Sequence, residues 1–126
     1  MILGGDTLAE TRAFNEQLEA LQSSMPARES VGPEELRAQR KAGTSVLPQP
    51  VLLPEARWLE IPSRGGTLRV RVLAPEGEPR GAYLHLHGGG WVIGAADEQD
   101  QALKAVAETT GLCAVSVDYR LAPEHP

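Results

Sequence analysis

Cysteine is nearly absent from this chain of 126 residues, which holds Cys113 alone. A disulfide within the chain is therefore excluded, and a lone thiol in an apolar pattern fits a buried, inert side chain in a reducing compartment. Aromatic residues are scarce, with two Trp, two Tyr and one Phe, a thin supply for a closed core. No apolar run approaches the roughly 18 residues of a membrane-spanning helix. The start, Met1-Ile-Leu-Gly-Gly-Asp6, lacks a basic segment and a long apolar stretch, so no secretory signal is read there and a cytoplasmic location is expected. Basic excess is also missing. Twelve Lys and Arg stand against 17 Asp and Glu, with a formal net charge of -5 and a pI near 5.2, which argues against nucleic acid as a partner.

What is present has the composition of a soluble globular protein, 41% hydrophobic and 23% charged. Leu8, Thr11, Phe14, Leu18 and Leu21 recur at helical spacing, so the pattern predicts a helix over 7–22 with Asp6 as N-cap, ended by Met25-Pro26. Pro33 suits the first turn of a second helix over 34–42, stopped by Gly43. Its residues are mostly charged, with Leu36 the clear apolar one, so its charges read as a solvated face. Pro48, Pro50 and Pro54 mark a linker. Residues 1–50 read as a helical segment with its linker, and residues 51–126 as part of a separate core.

From Trp58 the period changes from helical to alternating. Trp58–Ile61 and the alternation of Leu68, Val70 and Val72 with Arg69 and Arg71 predict an antiparallel hairpin at a sheet edge. Tyr83–His87 predicts the next strand. A helix over 98–110 follows, with Asp97 as cap, Ala102, Leu103, Val106 and Ala107 on one face and Gly111 as stop. Leu112–Val117 is a near-continuous apolar run, the pattern of a parallel strand buried on both faces. Strand, glycine loop, helix and strand make a βαβ unit, so the fold class is α/β.

The chain is organised around residues 82–94, Ala-Tyr-Leu-His-Leu-His-Gly-Gly-Gly-Trp-Val-Ile-Gly. Three glycines in a row after a strand leave backbone N–H groups free to face negative charge. Two other chemistries fit the stretch less well. His85 and His87 share a strand face and could start a zinc site, but no Cys or carboxylate stands near them in sequence. Gly88, Gly90 and Gly94 are spaced G-x-G-x-x-x-G, not G-x-G-x-x-G, and the helix starts too far on for a dinucleotide. No metal and no cofactor are expected.

His87-Gly-Gly-Gly-Trp91, followed by Asp118-Tyr-Arg-Leu-Ala-Pro-Glu-His-Pro126, resembles the hormone-sensitive-lipase-like (family IV) esterases of the α/β-hydrolase fold. His-Gly-Gly-Gly is the oxyanion-hole motif of lipases and esterases. The resemblance covers residues 58–126 well, and the two leading helices resemble that family's cap segment. It implies hydrolysis of small-molecule carboxylic esters through a Ser-Asp-His triad. It also implies roles: the backbone N–H groups of Gly88 and Gly89 as oxyanion donors, His87 and Gly90 as support of the loop, and Trp91 at the substrate. Arg120 and Glu124 are expected to pair across the final turn, with Asp118 as its cap.

One part of the family pattern is missing. The nucleophile needs Gly-x-Ser-x-Gly, and Ser23, Ser24, Ser30, Ser45, Ser63 and Ser116 all lack the two flanking glycines. The expectation is the N-terminal half of an α/β-hydrolase fold, with the triad beyond residue 126. The strand at 83–87 would then be an open apolar edge, and residues 1–126 alone would be poorly soluble or partly unfolded. The alternative is a catalytically inactive truncated or ligand-binding protein on the same fold.

Overall fold

The computed structural model describes residues 6–26 and 30–126. Of the N-terminal run read above for a signal, residues 1–5 lie outside them. Seven elements follow in chain order: α1 (Asp6–Ser24), α2 (Pro33–Ala42), β1 (Arg57–Ser63), β2 (Gly66–Leu73), β3 (Ala82–Leu86), α3 (Asp100–Thr110) and β4 (Cys113–Asp118). Each predicted element is present. The largest shifts in boundary, two residues each, are at the end of α1, on both sides of the β1–β2 turn and at the start of α3.

The four strands form one mixed sheet in the order β1-β2-β4-β3. β1 and β2 are antiparallel, with Leu59 opposite Val70 and Ile61 opposite Leu68. β2 and β4 are antiparallel, with Val70 opposite Val117 and Arg71 opposite Ser116. β3 runs parallel to β4, with His85 beside Ser116 and Leu86 beside Val117. Among the described residues β3 thus pairs on one side only, and Leu84 and Leu86 are 65% and 63% exposed.

The cluster packed by α3 lies on one face of this sheet; on the other face Val70 and Val72 of β2 are also buried. Residues two apart on a strand share a face, so Leu73, Ala114 and Tyr83 form one row across the sheet and Arg71, Ser116 and His85 the next. α3 packs here, placing Leu103 and Ala107 against Leu73, Ala114 and Ala56. Burying a leucine fully contributes about 2 kcal/mol. The helix begins at Asp100, not at 98, and Asp97 does not cap it: Gln99 holds the cap position with no side-chain bond. Asp100, the first residue of the helix, anchors it to the sheet and the linker through its carboxylate. It receives Nε and Nη2 of Arg71 at 3.1 and 2.5 Å and the N–H of Leu53 at 2.9 Å.

This pair corrects the alternating reading of β2. Arg71 is 6% exposed and Asp100 1%, so Arg71 lies in the core where the pattern put it in solvent. Its third bond, Nη2 to Leu53 O at 3.2 Å, ties the proline-rich linker to the sheet. A buried ion pair is tolerated when its hydrogen bonds are filled in this way.

β4 is likewise not buried on both faces. Ala114 and Ser116 are buried, whereas Cys113, Val115 and Val117 are half-buried. The opposite face carries Leu59, Leu84 and Leu86 with no helix packed on it among the described residues. Cys113 is accordingly half-buried and free.

Candidate active site

β3 ends at Leu86 and delivers His87 to the C-terminal edge of the parallel pair, where the chain enters the glycine loop. β4 runs alongside, so Tyr119, two residues past Val117, falls beside His87. The two rings stack with centroids 4.1 Å apart and planes 10° off parallel. The Tyr119 hydroxyl donates to His87 O at 2.6 Å. Burial pushes the Tyr119 phenol above its ordinary pKa, so it stays a donor at neutral pH.

His87 is 6% exposed, and its Nδ1 lies 2.9 Å from Gly88 O. A carbonyl only accepts, so Nδ1 carries the hydrogen. Nε2 is then left as a buried acceptor with no partner among the described residues.

The loop closes on itself at two glycines. Gly89 has φ +127°, and a Cβ there would lie 1.9 Å from Ile93 O. Its own carbonyl accepts from Val92 N at 3.2 Å and Ile93 N at 3.1 Å. Gly94 has φ +98°, and a Cβ there would lie 2.4 Å from Gly88 O and 2.5 Å from His87 Nδ1. Only a residue without Cβ fits either place. Gly90 also has positive φ, and so does Trp91 at φ +60°, a strained setting for a bulky side chain. Trp91 is 76% exposed, so it is not a packed aromatic. The N–H groups of Gly88 and Gly89 donate to no group among the described residues.

The loop is braced from outside. Ala122 N donates to Trp91 O at 2.8 Å. From α2, Arg37 donates Nε to Val92 O at 2.8 Å and Nη2 to Ala122 O at 2.6 Å. The same guanidinium forks onto Glu124 at 2.9 and 3.1 Å. These bonds hold the Glu124 carboxyl below its usual range and raise Arg37 above its own. Arg40 binds Glu98 at 3.0 Å and also Pro48 O.

Three expectations are corrected here. The charges of α2 are not simply a solvated face, because Arg37 and Arg40 hold the helix, which buries no residue. Glu124 pairs with Arg37 and not with Arg120, whose guanidinium lies over Gly65 in the hairpin turn. Asp118 does not cap the last turn: it accepts from Ala96 N at 3.5 Å and lies 3.9 Å from Arg69. Among the described residues, no three His, Cys, Asp or Glu side chains converge as for a metal.

Sequence reasoning named His87, Gly88, Gly89, Gly90 and Trp91, and all five fall in this one loop. It gave no functional weight to Tyr119, Arg37 or Gly94. Gly94 carried a signal in its place four residues after Gly90. Arg37 carried none, since its partners lie 55 to 87 residues away.

A mixed sheet with a parallel pair that ends in His-Gly-Gly-Gly, followed by a crossover helix, defines an α/β-hydrolase fold in its N-terminal half. Residues 83–126 match the family model described as alpha/beta hydrolase fold. The chain is 34% identical to the carboxylic ester hydrolase LipN of Mycobacterium tuberculosis over 91 residues, which is 71% of this chain and 24% of that protein. It is 32% identical to an arylesterase of Saccharolobus solfataricus over 72 residues, 56% of this chain and 24% of that one. Among solved structures, a hyperthermophilic esterase of the archaeon Pyrobaculum calidifontis aligns over 99% of this chain and 39% of its own, with a TM-score of 0.71 and 29% identity. The chain has the α/β-hydrolase fold, and its resemblance to the hormone-sensitive-lipase-like esterases holds. It spans about a quarter of the length of these two curated relatives.

Proposed function

We propose that this chain supplies the oxyanion-hole half of a serine hydrolase acting on small-molecule carboxylic esters. The observation that carries the reading is the pair of undonated N–H groups at Gly88 and Gly89, in a loop fixed by His87, Tyr119 and Arg37. Attack on an ester carbonyl turns its oxygen into an oxyanion. Donors already in place for that charge lower the barrier, by about 3 kcal/mol for one donor. Gly88 and Gly89 supply two such donors, His87 and Gly90 hold the loop, and exposed Trp91 borders the substrate. The Ser-Asp-His triad lies beyond residue 126, with the serine in a Gly-x-Ser-x-Gly turn. The ester-hydrolase names of the relatives support this class of substrate.

The second reading is a ligand-binding protein on this fold, without catalysis. Reading the coding sequence past the codon for Pro126 separates the two: a frame that stops at once leaves no nucleophile for the first. The oxyanion assignment is tested in the natural full-length protein with Gly88→Pro, which deletes the N–H, and Gly88→Ala, which keeps it. A Cβ at Gly88 meets nothing within 4 Å. The alanine variant should hydrolyse p-nitrophenyl acetate nearly as well as the parent, while kcat of the proline variant falls by on the order of 100-fold. Turnover by the proline variant within a few-fold of the parent would remove Gly88 from the oxyanion hole.

A further inference from the structure

α2 has no buried residue, so something other than apolar packing seats it. Arg40 ties it to Glu98 and the linker. Arg37 reaches the glycine loop itself. Its guanidinium spends four N–H bonds, one on Val92 O, one on Ala122 O and two on Glu124. Val92 and Ala122 are the two sides of one junction, since Ala122 N bonds Trp91 O at 2.8 Å. At that junction Trp91 sits at φ +60°, a backbone state that persists only when its surroundings enforce it. A guanidinium can do this where an ammonium cannot, because its donors lie in a planar fork.

We propose that Arg37 is the positioning residue for the oxyanion loop, so that the seating of α2 sets the placement of Gly88 and Gly89. For its effect on turnover the proposal rests on the ester-hydrolase reading above. Its effect on the loop does not. Arg37 touches no reacting atom; it acts through the carbonyls of Val92 and Ala122. A movement of α2, for instance on substrate entry, would thereby be transmitted to the oxyanion donors.

The test uses the natural full-length protein with Arg37→Met and Arg37→Lys. Arg37 and Glu124 side chains are 26% and 43% exposed, so both variants should fold, and unchanged protection of the α3 and β4 amides checks this. In Arg37→Met, hydrogen exchange of the amides of 91–94 should accelerate about tenfold or more. On p-nitrophenyl acetate, kcat should fall about tenfold with KM held within about threefold, the mark of lost transition-state positioning. Lysine should recover less than half of that loss.

Unchanged exchange at 91–94 in Arg37→Met would overturn the proposal, and so would full recovery by lysine. If the parent hydrolyses esters and Arg37→Met keeps kcat within about twofold, the positioning role falls and the ester-hydrolase reading stands. If the parent hydrolyses no ester, that reading falls, and the exchange experiment still decides whether Arg37 holds the loop.

Discussion

α3 and α2 are nearly the same length, 11 and 10 residues, and are held in opposite ways. α3 presses Leu103 and Ala107 into the sheet, where each is 2% exposed or less, and locks its first turn with buried Asp100. α2 has no fully buried residue, its Leu36 being half-buried, and is held by two arginines on carboxylates and carbonyls. Apolar burial is insensitive to salt, whereas part-exposed ion pairs weaken in it. The sheet with α3 should thus be the rigid frame, and α2 is expected to loosen without disturbing the core. The glycine loop sits between the two, rooted in the frame through His87 and Tyr119 and tethered to α2 through Arg37.

The largest effect belongs to the frame. Asp100→Ala leaves the Arg71 guanidinium buried without its partner and Leu53 N–H without an acceptor, at about 3–5 kcal/mol. Urea unfolding of the full-length protein should show it. Adding Arg71→Met should restore much of the loss, since the uncompensated charge is then gone. A cost for Asp100→Ala under about 1 kcal/mol would mean that α3 is held no more firmly than an exposed ion pair. Leu103→Ala comes next, at about 3 kcal/mol, because the residue is 2% exposed and its removal opens a cavity beside Leu73 and Ala114.

How much of this was legible in the sequence follows the range of the interactions. The seven elements were legible because periodicity and glycine or proline stops are local. The site was legible at His87–Trp91 because strand, glycines and turn are contiguous. Arg71 was misread because a charge alternating with valines looks like a solvent face, and its partner Asp100 lies 29 residues on. Glu124 was misread for the same reason: Arg120 is near in sequence, but the bond goes to Arg37, 87 residues away. Tyr119 needed the parallel register of β3 and β4 to be known before it could be set beside His87. β4 read as buried on both faces because composition shows that a strand is apolar and does not show what covers it.

A third prediction separates the frame by pH. His85 sits beside buried Ser116 in the register, and neither His85 Nε2 nor Ser116 Oγ has a partner among the described residues. Burial, and then the nearby His87, lowers the His85 pKa below its ordinary value. The folded state therefore keeps His85 neutral where the unfolded chain begins to protonate it. Its contribution is full above about pH 6.5 and is lost as pH falls through that value toward the folded pKa. The melting temperature should drop between about pH 7.5 and 5.5, and His85→Gln should flatten that part of the drop. A drop identical in parent and variant would assign it to other groups.

The smallest effect belongs to α2. Arg40 and Glu98 are 3.0 Å apart with side chains 15% and 20% exposed, a pair near the surface whose loss is worth about 1 kcal/mol or less. Arg40→Ala should therefore leave urea unfolding almost unchanged while amide exchange within α2 speeds up. Raising NaCl to about 1 M, where charges are screened beyond roughly 3 Å, should loosen α2 in the parent and bring it toward the variant. The amides of α3 should not respond to either change, because Leu103, Ala107 and an Asp100–Arg71 pair buried away from salt hold it. A loss of about 3 kcal/mol in Arg40→Ala, unaffected by salt, would put α2 in the frame with α3, and the division between a rigid core and a movable arginine-held helix would be wrong.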